Sequence, residues 1–314
     1  MKKLVLFLLA ILALSVAAVY YLIPDTLVVT ELVKVNCVSD AAFRNLSNEQ
    51  NWSKWWPGPK DTGNAAAGKS FLLSDNRYSL SKKTINNFEI LIDNKKDILS
   101  SEMNLLSLPG NAMLIKWHYT ATAGSNFFNR IAAYRKALSL KKDMHTILDY
   151  MQTYLSDFKN IYGFTFHEAS TIDTFLITTK AFSPGWPATD FVYDRINKLK
   201  KFCNEQGCNI TGTPMLNITR LQSSGYQLMV ALPVNRFMQP KDSISGIRMV
   251  PGKFIIADVA GGLQTIAEMH QQISFYFQDY RRTSMAIPFD YLVTDRQRET
   301  DSSKWITRIY APVY

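Results

Sequence analysis

Cysteine is scarce: only Cys37, Cys203 and Cys208 occur in 314 residues. Three cysteines exclude a disulfide framework as the source of stability. Whether Cys203 and Cys208 pair or stay as inert thiols is left open. Their spacing is wrong for the usual zinc knuckle. The histidines, His118, His145, His167 and His270, are scattered, and no H-E-x-x-H occurs, so zinc chemistry is not indicated. G-x-x-x-x-G-K-[ST] and G-x-G-x-x-G are both missing, so no phosphate-cradling loop is expected. No G-x-S-x-G elbow and no C-x-x-C pair is present either. No cofactor is implied. The formal charge is +9, yet no run of five or six basic residues carries it. Pairs such as Lys82-Lys83, Lys95-Lys96, Lys141-Lys142 and Arg281-Arg282 read as solvated faces. A nucleic-acid partner would want one dense patch and is not expected.

What is there is ordinary for a globular protein, with 47% apolar and 19% charged residues. The length suits two domains, each able to bury its own core. Lys2-Lys3 precede a charge-free run over residues 4–23, close to the ~20 residues that a bilayer span needs. Tyr20 and Tyr21 fall where an interfacial belt would place them, and Pro24-Asp25 ends the run. The expectation is a single-pass anchor over residues 1–23 in a bacterial inner membrane. The membrane is then a partner, and everything from residue 24 lies outside the cytoplasm. A cleaved signal peptide, with Ser15-Val16-Ala17 as the small-x-small site, is the alternative. No cysteine follows the run, which excludes a lipoprotein anchor.

Over residues 24–160 the pattern is one strand (26–37), a short helix capped by Ser39 or Asp40 (41–46), then five strand-like runs at 69–74, 77–85, 88–93, 98–106 and 112–122. Asp75-Asn76, Asn86-Asn87, Asp93-Asn94 and Pro109-Gly110 separate them as hairpin turns. Apolar residues then recur at three and four from Phe127 to Phe158, which predicts a long amphipathic helix or two in series. This order, with Asn51-Trp52-Ser53-Lys54-Trp55-Trp56-Pro57 after the first helix, resembles the START-related, polyketide-cyclase-like (SRPBCC) superfamily. The resemblance implies a helix-grip fold, a curved antiparallel sheet around its last helix with an apolar ligand cavity between them. It carries over no catalytic residue. Trp52, Trp55 and Trp117 are the candidate cavity lining, with plain core packing as the alternative. His118 reads as a satisfied strand residue and His145 as exposed.

Over residues 161–314 a strand–helix–strand–strand order occurs twice. The first pass uses strand-like runs within 164–180, a helix starting at Thr189 or Asp190 and ended by Gly207, and paired strands at 209–221 and 226–232 joined through Ser223-Ser224-Gly225. The second uses 253–259, a helix over 263–280, and strands at 289–294 and 305–311. Leu232-Pro233-Val234, Gly252-Lys253, Pro288-Phe289-Asp290-Tyr291 and the closing run from Trp305 to Val313 resemble the GyrI-like effector-binding domain. That family implies an acidic side chain in an aromatic cleft, where it meets cationic or polar ligand groups. Asp290 matches the position, one methylene shorter than the usual glutamate. Tyr291, Trp305, Trp186 and Phe175 are the candidate walls.

The fold expected is therefore α+β: a transmembrane helix, a helix-grip domain over 24–160 and a duplicated GyrI-like domain over 161–314. The function expected is membrane-anchored binding or sensing of small hydrophobic or amphipathic, including cationic, molecules. A cyclase- or hydrolase-like enzyme using Asp290, and a structural or signalling partner with vestigial pockets, remain as alternatives.

Overall fold

The computed structural model describes residues 2–59, 69–170, 174–222, 224–249, 251–284 and 286–314. Residues 171–173 and Ser223, part of the strand and turn readings above, lie outside them. The chain divides into two compact units, Met1–Ile161 and Tyr162–Tyr314.

The first unit contains α1 (Lys2–Leu22), β1 (Thr26–Val35), α2 (Ser39–Leu46), α3 (Glu49–Trp52), β2 (Ser70–Leu73), β3 (Asn76–Thr84), β4 (Asn87–Asp93), β5 (Ile98–Leu108), β6 (Ala112–Thr122) and α4 (Phe127–Ser156). Its strands form one antiparallel sheet in the order β1-β6-β5-β4-β3-β2. Alternation sends Met113, Ile115, Trp117 and Tyr119 to the buried side while Lys116 and Thr120 stay exposed. α4 is a single helix of 30 residues whose Leu140, Met144, Ile147, Leu148, Met151 and Leu155 form its buried stripe. Asn126 caps it, its Oδ1 accepting from the Asn129 N–H at 2.7 Å. The hairpin turns need left-handed backbone, and Asn86, Lys95, Gly110 and Asn111 supply it. Gly58 is required by proximity: a Cβ there would sit 1.9 Å from the Leu72 carbonyl oxygen.

Among the described residues no helix is long and apolar enough to cross a membrane. This corrects the expected transmembrane anchor. The inner-membrane location, the membrane partner and the extracytoplasmic placement that depended on it go with it. The charge-free run overstated the free apolar length, because its far end belongs to the first unit. Tyr20 donates from its hydroxyl to the Ser125 carbonyl at 2.9 Å, Arg130 lies 4.8 Å from the Tyr20 ring centre, and Ile23 is buried. Arg130 also donates to the Ile23 carbonyl and pairs with Asp25. Met1 and the side chain of Lys2, invoked for the charged end, lie outside the described residues.

After α5 (Phe158–Tyr162), the second unit contains β7 (His167–Ser170), β8 (Thr174–Ser183), α6 (Thr189–Glu205), β9 (Met215–Arg220), β10 (Tyr226–Val234), β11 (Ile244–Met249), β12 (Lys253–Ala260), α7 (Leu263–Asp279), β13 (Phe289–Leu292) and β14 (Ile306–Pro312). One sheet runs β11-β8-β10-β9-β13-β14-β12-β7. The inner six strands are two copies of a strand–helix–strand–strand module, β8-α6-β9-β10 and β12-α7-β13-β14, meeting where β9 pairs with β13. One sheet face carries two helix-covered cores. Val192, Ile196 and Leu199 of α6 pack with Leu228, Val230 and Leu232. Ile266, Met269 and Ile273 of α7 pack with Ile255, Ala257 and Ile309. The opposite face carries Leu176, Met215, Ala231, Phe254, Ile256 and Phe289.

Cys203 and Cys208 form a disulfide, settling a choice that spacing left open, and Cys37 is a buried free thiol. The bridge ties the last turn of α6 to the chain beyond Gly207, whose φ of +63° makes the reversal. The loop is short, so the chain-entropy gain is about 2 kcal/mol. Reduction should lower the second unit's unfolding free energy by that amount, read as a lower urea midpoint, and leave the first unit's unchanged. An unmoved midpoint would show that the bridge contributes nothing in solution.

Candidate functional site

The two modules leave a cleft between α6 and α7 on the helix-covered face. It has a volume of about 660 Å³, within the range of small-molecule sites. Its walls are mainly apolar: Pro187, Val192, Leu216, Ile218, Ile266 and Leu292. Sheet alternation decides which residues of β13 reach it. Asp290 and Leu292 point to the helix side, while Phe289 and Tyr291 point away.

Four titratable groups, Tyr193, His270, Asp290 and Arg296, border the cleft. His270, projecting from α7, places Nε2 3.2 Å from Asp290 Oδ2 and 3.0 Å from Oδ1. Only the first contact has hydrogen-bond geometry, and Oδ1 has no other partner. Burial opposes charge on His270, but the hydrogen bond and the charge of Asp290 outweigh it, raising the imidazole pKa above its usual value. Arg296 follows β13 and is 8% exposed. Its backbone N–H donates to the Tyr193 hydroxyl at 2.6 Å, and Nη2 donates to Thr307 Oγ1 at 2.8 Å. The guanidinium lies 4.6 Å from the Trp305 ring centre, and its Nε has no partner. Burial lowers its pKa.

A pH dependence follows from the His270 shift. A histidine whose folded pKa is raised contributes stability that is fully present below the unfolded value of about 6.5 and lost as pH rises through the folded value. The stability difference between the wild type and His270→Gln should therefore be larger near pH 5.5 than near pH 8.5. Urea unfolding at both pH values measures it. An equal difference would mean that His270 is not protonated beside Asp290.

The structure brings together only part of the residue set expected from sequence. Asp290 and Trp186 border the cleft, with Trp186 edge-on to Tyr226 at 5.4 Å between ring centres. Trp305 stands behind Arg296. Tyr291 lies across the sheet, 4.7 Å from the Tyr310 ring, and Phe175 packs edge-on to Phe237 at 6.2 Å. In the first unit, Trp52 and Trp117 are buried, donating to the Leu46 carbonyl and Ser101 Oγ respectively. Trp55 borders a surface depression of about 410 Å³ with Lys54, Asp149, Tyr150 and Tyr154. His118 lies 3.8 Å from Glu102, and exposed His145 bonds Glu31 at 3.1 Å.

Sequence reasoning missed His270, Arg296 and Tyr193. A signal existed for the first, since His270 lies one turn beyond Ile266 at the edge of the apolar stripe of α7. It also missed a second cavity, of about 370 Å³, on the other sheet face, bordered by Met215, Met229, Met249, Phe254, Phe289 and Tyr314. Among the described residues no group of three or more His, Cys, Asp or Glu is placed to hold a metal ion.

No family model and no curated protein matches the sequence. Several solved structures are distantly similar. The C-terminal domain of EcmrR is 12% identical with a TM-score of 0.40, covering 48% of this chain and 98% of that one. SAV2435, solved bound to tetraphenylphosphonium, is 15% identical with a TM-score of 0.31, covering 48% and 94%. The ZhuI aromatase/cyclase from Streptomyces sp. R1128 is 11% identical with a TM-score of 0.31, covering 41% and 92%. Likenesses of this size carry no argument about ligand or activity. The second unit is an α+β fold in which a duplicated strand–helix–strand–strand module builds the inner six strands of one eight-stranded sheet.

Proposed function

We propose that the second unit is a small-molecule-binding domain whose site is the cleft between α6 and α7, and that the first unit is a START-like helix-grip domain. The observation that carries the first reading is the cleft itself. About 660 Å³ of mostly apolar space is bordered by a few polar groups, Asp290 and His270 among them, which is the make-up of a ligand site. Burial of apolar ligand surface supplies affinity at about 25 cal/mol per Å², and the polar groups fix orientation. For the first unit, the support is the six-stranded antiparallel sheet followed by the 30-residue α4.

Filling the cleft tests the proposal. Ala267 borders it from α7 and is exposed, so Ala267→Trp should occupy the space without disturbing a core. Trp186, 53% exposed and on the rim, offers a fluorescence readout. Small aromatic ligands should perturb it in the wild type and bind at least ~10-fold more weakly to Ala267→Trp, the equivalent of about 1.4 kcal/mol. Equal binding by both proteins would move the site elsewhere.

A further inference from the structure

The charges around the cleft do not match a site built for cations. Asp290, the only carboxylate bordering it among the described residues, is already engaged by His270. Arg296 is the opposite case. It is buried, and among the described residues no carboxylate pairs with it. Its guanidinium has Thr307 as side-chain acceptor and the Trp305 ring against its face, while Nε is unpartnered. A buried charge left in this condition is costly unless something compensates it. An arginine fork presents five N–H donors suited to a carboxylate. Asp290 acts on Arg296 by its charge, but without an ion-pair contact, and among the described residues no group bordering the cleft accepts a hydrogen bond from the guanidinium. The Tyr193 hydroxyl is held by the Arg296 backbone N–H, and Asp290 keeps its short contacts with His270. With His270 protonated, the bordering groups sum to a net positive charge.

We infer that the cleft selects molecules with an apolar body and a single carboxylate, the carboxylate seated on Arg296 and the body against Val192, Leu216, Ile218 and Ile266. This rests on the reading of the cleft as a ligand site and adds the ligand's charge to it. It reverses the cationic preference implied by the family resemblance, because in this chain His270 occupies the acidic group.

Three probes with one aromatic body separate the possibilities: 1-naphthylacetate, the neutral 1-naphthylacetamide and 1-naphthylmethylammonium. Each is titrated calorimetrically into the full chain, the wild type beside Arg296→Met and Asp290→Asn. The carboxylate should bind at least ~10-fold more tightly than the other two. Arg296→Met, which keeps the apolar stem over Trp305, should erase that preference, and Asp290→Asn should preserve it. Should Arg296→Met not fold, the ranking of the three probes on the wild type still decides the matter. Equal affinity of all three overturns the inference while leaving the cleft as a ligand site. Tighter binding of the ammonium overturns it in favour of Asp290 as the selecting group. Absence of binding by every probe overturns both this inference and the ligand-site reading beneath it.

Discussion

Asp143→Leu should destabilise the first unit by about 3–5 kcal/mol, the cost of stranding buried donors by removing their common acceptor. Asp143 on α4 is 5% exposed and accepts from Ser74 Oγ at 2.8 Å, Asn76 Nδ2 at 2.9 Å and the Tyr78 hydroxyl at 3.1 Å. It thereby fixes the β2–β3 hairpin to the helix. Burial, and then the adjacent charge of Asp143, push the Tyr78 phenol well above its usual pKa, so the donor keeps its proton. Leucine fills similar volume but leaves two buried donors, Asn76 and Tyr78, and the exposed Ser74 without their acceptor. Asp143→Asn should cost less, about 1–3 kcal/mol, because its carbonyl still accepts while its NH₂ faces donors. Urea unfolding of the full chain resolves this if the two units unfold separately, since only the first transition should shift. A loss under about 1 kcal/mol for Asp143→Leu would show that water replaces the carboxylate and would sink the account.

Trp117→Ala should cost the same unit about 3–5 kcal/mol. The side chain is fully buried, meets Tyr78 edge-on at 6.1 Å, and donates from Nε1 to Ser101 Oγ, which donates onward to the Ile90 carbonyl. Trp117→Phe keeps most of the volume and should cost about 1–2 kcal/mol, leaving Ser101 its other bond. This separates two roles. A tryptophan lining a ligand cavity is lost at small cost in stability, whereas one that fills a core is not. A thermal midpoint within a degree or two of the wild type for Trp117→Ala would return the residue to the cavity wall.

The strand pattern of the first unit was legible because its alternation is clean and its turns are marked by Asn, Asp and Gly, with Asn86, Gly110 and Asn111 at positions of positive φ. The duplicated module was legible for a related reason: its helices are amphipathic and its strands are bounded by glycine and proline. β11 was not legible. Its sequence, Ile244-Ser245-Gly246-Ile247-Arg248-Met249, has no apolar alternation, and Gly246 is there because a Cβ would lie 1.8 Å from the Met238 carbonyl oxygen. Composition could not show either effect. The N-terminal run misled because counting uncharged residues ignores tertiary claims on Tyr20 and Ile23. The site divided along a simple line. Asp290 was found through a local motif, but its partner His270 comes from α7 and Arg296, which also borders the cleft, from the chain beyond β13, and no spacing rule connects them. Tyr291, from the same motif as Asp290, and the aromatic Phe175 were expected as cleft walls, and strand parity and distance put them elsewhere.

The seam between the two modules has a consequence for their ancestry. α6 and α7 are each 17 residues long, and β9 and β13 begin at equal intervals after the helix starts. In this register Leu216 and Asp290 are equivalent positions, and they also face each other across the seam. The internal two-fold axis therefore passes between them. A homodimer of one module would carry the same residue at both places, and an aspartate there would set two carboxylates directly opposite, a destabilising arrangement. Joining the modules in one chain frees the two positions to differ. A leucine can then occupy one side and an aspartate the other, so a single asymmetric polar group at the axis is something that only the fused form permits.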